Sequence, residues 1–152
     1  MADEWNATLE QSTDWLSNVL ADRKKRVAIK RASTFEDFKN SWSVAALLGQ
    51  LKRPKYDRLL AALWGAATAK KTCDGSLASI ARQHGVNERR WRKLISTRDR
   101  EEAARQVRRI VRQLDAAPVG DIIDKLYWWG PDARQGWAVA WFDSQEGAED
   151  DS

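Results

Sequence analysis

A chain of 152 residues, 43% hydrophobic and 32% charged, is long enough for one ordinary domain that buries roughly 70% of the surface its unfolded form would expose. Its single cysteine, Cys73, and single histidine, His84, exclude an internal disulfide and a His/Cys metal cluster, so neither a metal nor another cofactor is expected. The formal charge of +4 is unevenly spread: residues 1–22 and 143–152 each carry five acids and no base, leaving 26 basic against 12 acidic residues between them, a pattern that fits a nucleic-acid binder better than a small-molecule enzyme.

Apolar residues recur at helical spacing almost throughout, with no alternating strand and no internal repeat, which predicts an all-α compact bundle of about eight helices. The N-terminus has no basic region followed by an apolar one, and no apolar run approaches a membrane span, so a cytoplasmic protein without membrane contact is expected. Trp5, Leu9, Leu16, Val19 and Leu20 mark a first amphipathic helix. The basic cluster Arg23-Lys24-Lys25-Arg26 leads into a short helix through Val27, Ile29, Lys30 and Arg31. Thr34, with Asp37 three residues on, predicts a capping box that opens one helix through Phe35, Phe38, Trp42, Leu47 and Leu48 to a stop at Gly49. Lys52-Arg53-Pro54-Lys55 is a basic turn with proline placed to start the next helix, whose stripe is Leu59, Leu60, Leu63, Trp64 and Ala67 and which Lys70-Lys71 close. Ser76 caps a short helix from Leu77 to His84 that Gly85 ends, and Asn87 caps its successor. Asp99 starts a long helix that ends by Pro118; Asp121 to Trp129 form another, closed by Gly130; and Pro131 opens the last. A single domain over residues 1–142 is expected, with helical subregions at about 1–72 and 76–142, followed by an acidic segment, 143–152, expected to be disordered.

Eleven of the 31 residues from Arg82 to Arg112 are basic and four are acidic. On a helical wheel at about 100° per residue, Ala103, Ala104, Val107, Ile110, Val111 and Leu114 gather on one side, while Arg105, Arg108, Arg109 and Arg112 gather opposite. Asp99, Glu101 and Glu102 occupy the first turn, where the positive end of the helix dipole favours acids. Four arginines on successive turns repel one another unless an anion is shared between them, and a polyanion supplies one. The bland alternative is a solvated charged face.

The segment from Leu77 to Leu94 also resembles a helix-turn-helix, with Ala81 and Gly85 at the turn and Ile80, Val86, Trp91 and Leu94 where that motif buries side chains; a DNA-binding transcription regulator is therefore the alternative reading. Against it, the second helix offers Arg89, Arg90, Arg92 and Lys93, which suit phosphates, and few side chains that read base edges. A bundle whose basic face meets an acidic protein is a third possibility. No nucleophile stands at a recognisable spacing from His84, there is no glycine-rich phosphate loop, and Asp121 with Asp124 reads as helix start and solvation, so no enzyme is expected. Of the nine tryptophans most are expected in the core, with one or two left for stacking on bases, and one aromatic of Tyr127-Trp128-Trp129 is expected at an interface, because neighbours on a helix diverge by about 100°.

Taken in order, Ile29-Lys30-Arg31, Asn87-Glu88-Arg89-Arg90 with Leu94-Ile95, Asp99-Arg100 leading to Gln106-Val107-Arg108-Arg109, and Trp128-Trp129-Gly130 resemble the CasB family over about residues 24–142. That family supplies the small subunit of the type I-E CRISPR surveillance complex, Cascade. The resemblance implies a non-enzymatic helical subunit, present as two copies head to tail within the complex. It would touch the other Cascade subunits, help hold the CRISPR RNA with its paired target strand, and carry the displaced DNA strand on a basic face. Contacts of that kind stabilise an R-loop without reading bases, since guide pairing does the reading. Arg31, Arg89, Arg90, Arg100, Arg108 and Arg109 match the family's basic motif positions. Lys52 and Arg53 are added because they occupy a corresponding basic turn, and Arg98, Arg105 and Arg112 from the helical wheel.

Overall fold

The computed structural model describes residues 2–31, 34–51 and 55–150, with side chains described over 4–31, 34–51 and 55–143. Among them are ten helices: α1 (Ala2–Ala21), α2 (Arg23–Arg31), α3 (Phe35–Lys39), α4 (Trp42–Gln50), α5 (Tyr56–Ala66), α6 (Leu77–His84), α7 (Glu88–Ser96), α8 (Arg100–Val111), α9 (Val119–Tyr127) and α10 (Pro131–Asp150). The only extended pairing among the described residues is a parallel bridge between Thr72 and Ala117. The fold is all-α, as expected, with two helices more than the expected eight or so. One source of the excess is the segment from Phe35 to Gly49, which is two helices and not one. Asn40 closes α3 by donating its backbone N–H to Glu36 and Phe38, and the extended Ser41 then starts α4.

Local signals govern several helix ends. Thr34 Oγ1 accepts the Asp37 N–H at 3.1 Å, Asn87 Oδ1 accepts the Arg89 N–H at 2.7 Å, and Asp99 Oδ2 accepts the Glu102 N–H at 3.0 Å. Gly85 ends α6 at φ +97°, a left-handed conformation open to glycine and costly to residues with a Cβ. α5 ends at Ala66, earlier than the lysine pair that was expected to close it. α10 runs to Asp150; residues 151 and 152 lie outside the described residues.

α5 is the centre of the bundle: every residue from Leu59 to Ala66 is buried, and the helix packs against α8 and α9. Small residues let it do so. A Cβ on Gly65 would overlap Leu126 of α9 and meet Ala104 of α8. Buried side chains from Leu16 in α1 to Trp141 in α10 form one connected core. Trp64, Trp91, Trp129, Trp137 and Trp141 are buried in it, whereas Trp42 is 87% exposed and Trp128 50% exposed.

Asp121 does more than start a helix and meet solvent. Its Oδ2 accepts both the Leu77 N–H at the start of α6 and Trp137 Nε1–H of α10, each at 2.9 Å, and Lys125 Nζ lies 3.4 Å from Oδ1. The α9 carboxylate thus caps α6, whose own Ser76 makes no side-chain cap bond. Asp124 is likewise engaged, accepting Trp5 Nε1–H at 2.8 Å.

Candidate nucleic-acid interface

The α7 and α8 helices meet so that Asn87, Arg89, Arg90 and Lys93 of the first, with its cap, face Gln106 and Arg109 of the second across an open cavity of about 310 Å³. Around the same helix, Arg109 also borders a second cavity of about 260 Å³ with Arg105, Arg108, Arg112, Trp64 of α5, Phe35 of α3 and its cap Thr34. Among the described residues no carboxylate lines either one. Arg89, Arg90, Lys93, Arg109 and Arg112 are exposed. They make a basic track from the N-terminal turns of α7 to the C-terminal end of α8, with Arg109 common to both cavities.

The remaining arginines of this region divide by what holds them. Arg108 is only 4% exposed: its Nη1 donates to the Trp64 carbonyl at 2.7 Å, and the guanidinium lies 4.6 Å from the centre of the Trp64 ring. The wheel set it among the outward arginines. In the fold, the C-terminal end of α5 covers it, and the negative end of that helix's dipole partly compensates a cation that has no carboxylate partner among the described residues. Burial, with the nearby Arg112 charge, lowers its pKa to about 10, so it remains protonated at neutral pH. Arg100 donates Nε–H to the Leu126 carbonyl at 2.9 Å, and its pKa is lowered by desolvation and then by the charge of Arg58. Arg105 is paired with Glu101, at 3.4 Å, and with Glu102. Arg92 is paired with Glu88 at 3.1 Å.

Arg31 is exposed at the end of α2, three residues before the Thr34 that borders the second cavity, and Arg98 is exposed in the α7–α8 loop. Lys52 and Arg53 lie outside the described residues. Sequence reasoning read Lys93 as suited to phosphates but did not carry it into the set of site residues, although it sits one turn beyond Arg89 and Arg90 on a helix whose apolar side is marked by Trp91 and Leu94. It had no signal for Gln106, a polar residue on an arginine helix. Its Nε2 donates to Thr97 Oγ1 at 2.8 Å, tying α8 to the loop that carries Arg98.

The helical pair α6–α7 has the turn of a helix-turn-helix, with Ala81 buried, and of that motif's interior positions Val86, Trp91 and Leu94 are buried and Ile80 is partly buried against the core. Its second helix does not stand alone, however, because its outward basic residues share a cavity with α8.

The family model for CRISPR-associated protein Cse2 matches residues 25–142, a span that contains every helix of the track. The chain belongs to the Cse2 family. This is the CasB family that the sequence resembles, and Cse2 is a subunit of the type I-E CRISPR complex Cascade, so the chain is a CRISPR-associated subunit that assembles with others. No curated protein matches it. Among the described residues no group of His, Cys, Asp and Glu could hold a metal ion, and no helix is long and apolar enough to cross a membrane.

Proposed function

We propose that this Cse2-family chain is a non-enzymatic cytoplasmic subunit that grips the sugar-phosphate backbone of nucleic acid without regard to sequence, stabilising the R-loop formed by CRISPR RNA and target DNA and holding the displaced strand. The observation that carries this reading is the pair of carboxylate-free cavities joined at Arg109. Arg89, Arg90, Lys93, Arg109 and Arg112 contact phosphates directly, with Arg98 and Arg31 extending the path. Arg100, Arg105 and Arg108 support it, bound as they are to Leu126, to Glu101 and Glu102, and to Trp64. Lys52 and Arg53 belong to the same proposal as further phosphate contacts. Two copies head to tail would join their tracks into one longer path inside Cascade.

With about six of these cations engaged on a single strand at one time, log affinity against log salt has a slope near −4, so doubling the salt weakens binding about 16-fold. The test is binding to random single strands, random duplex and a set of promoter duplexes at several salt concentrations. A steep slope shared by all single strands supports the backbone reading. A flat response rejects it, and selective binding to one duplex transfers support to the transcription regulator.

A further inference from the structure

Trp128 is half exposed at the end of α9, yet it is held in one orientation. Its ring stands nearly perpendicular to Tyr127, with centroids 4.9 Å apart, and to Trp5, at 5.6 Å. Those two rings are themselves stacked at 4.0 Å and pinned by polar bonds, Tyr127 Oη accepting the Lys55 N–H and Trp5 Nε1 donating to Asp124. The more exposed Trp42 has no aromatic contact among the described residues to fix it.

The surroundings of Trp128 are cationic. Arg58 lies close enough to Arg100 for its charge to act on it, as does the carboxylate of Asp99, and Arg100 holds the Leu126 carbonyl two residues before Trp128. Neither Arg58 nor Arg98 forms an ion pair among the described residues. Of the carboxylates nearby, Asp124 is engaged by Trp5 and Lys125, and Asp99 caps α8 by accepting the Glu102 N–H. This corner is also continuous with the basic track. Thr97 accepts from Gln106, which lines the α7–α8 cavity, and its carbonyl accepts Trp129 Nε1–H at 2.9 Å. The exposed Arg98 directly follows Thr97, the residue that joins the cavity-lining Gln106 to Trp129, the chain neighbour of Trp128.

A rigid, half-exposed indole at the end of a cationic path offers what a phosphate track lacks: a flat surface for a base. The geometry points to Trp128 as a stacking platform for one unpaired nucleobase of a single strand, with Arg98 steering its phosphate. This assignment rests on the backbone-binding reading and adds a contact that any base can make, since each has a π face.

The test compares an oligothymidylate with an abasic deoxyribose-phosphate strand of equal length, using the full chain and its Trp128→Leu and Trp128→Phe variants. Wild-type protein is expected to prefer the base-bearing strand, and Trp128→Leu to lose between about 5-fold and 100-fold in affinity for it. Trp128→Phe should recover part of that loss, while affinity for the abasic strand stays within about twofold in both variants. Equal wild-type affinity for the two strands overturns the platform and leaves the phosphate track standing. Loss of affinity for neither strand in Trp128→Leu, with assembly into Cascade impaired, also overturns it by making Trp128 a protein contact. Failure of wild-type protein to bind either strand removes the track itself.

Discussion

Arg108 and Arg109 are adjacent on α8, and the fold assigns them opposite work. In Arg108→Ala, a charge-assisted hydrogen bond to the Trp64 carbonyl is lost, worth about 1.5–3 kcal/mol, together with a desolvated cation–π contact of about 1–2 kcal/mol. Relief of the buried charge and of repulsion from Arg112 returns part of this, leaving a net loss of about 2 kcal/mol. For a chain of this size that lowers the melting temperature by about 4–8 °C. Arg109→Ala removes an exposed side chain and should shift melting by less than about 2 °C. Binding to a random single strand across a salt series, measured well below both melting points, should reverse the order. Arg109→Ala makes the slope shallower by about 0.7, as expected for one phosphate contact, while Arg108→Ala leaves it unchanged. If Arg108→Ala melted like wild type and flattened the salt slope as Arg109→Ala does, the division of the α8 arginines into supports and contacts would be refuted.

Neutralising both carboxylates that hold Arg105, in Glu101→Gln/Glu102→Gln, should free that guanidinium and steepen the salt slope by about 0.7, with a stability change below about 1 kcal/mol by urea unfolding. Asp121→Ala leaves the Leu77 amide and the Trp137 indole N–H without their acceptor and should cost about 2–4 kcal/mol in the same assay; Asp121→Asn, which keeps an acceptor oxygen, should cost less than half as much. Gly65→Leu forces a side chain into the contact between α5, α8 and α9 and should destabilise by about 1–3 kcal/mol, read as a lower urea midpoint.

What was legible in the sequence is what is local. The Thr34, Asn87 and Asp99 caps act on amides two or three residues away, and Gly85 needs only its own backbone conformation, so each could be read from a few neighbouring letters. The break at Asn40 and Ser41 is local too, but Ser41 makes no side-chain cap bond that would announce it. The basic character of α7 and α8 was equally open to inspection, and the Cse2 match confirms the family on which the site residues were nominated. A helical wheel gives direction about an axis, not what lies in that direction. Arg108 could not be separated from Arg109 without knowing that the end of α5, 44 residues earlier in the chain, lies over it. Asp121 failed for the same reason: as a letter it is a good helix starter, whereas its hydrogen-bonding partners are 44 and 16 residues away.

Because one oxygen of Asp121 receives a proton donor from α6 and another from α10, any outward swing of α9 exposes two polar hydrogens together. Such coupling turns these three helices into a single opening unit, and hydrogen exchange at the Leu77 amide and the Trp137 indole should then register that same rare excursion. α7 follows α6 directly, and its arginines therefore inherit their steadiness from a junction that touches no nucleic acid.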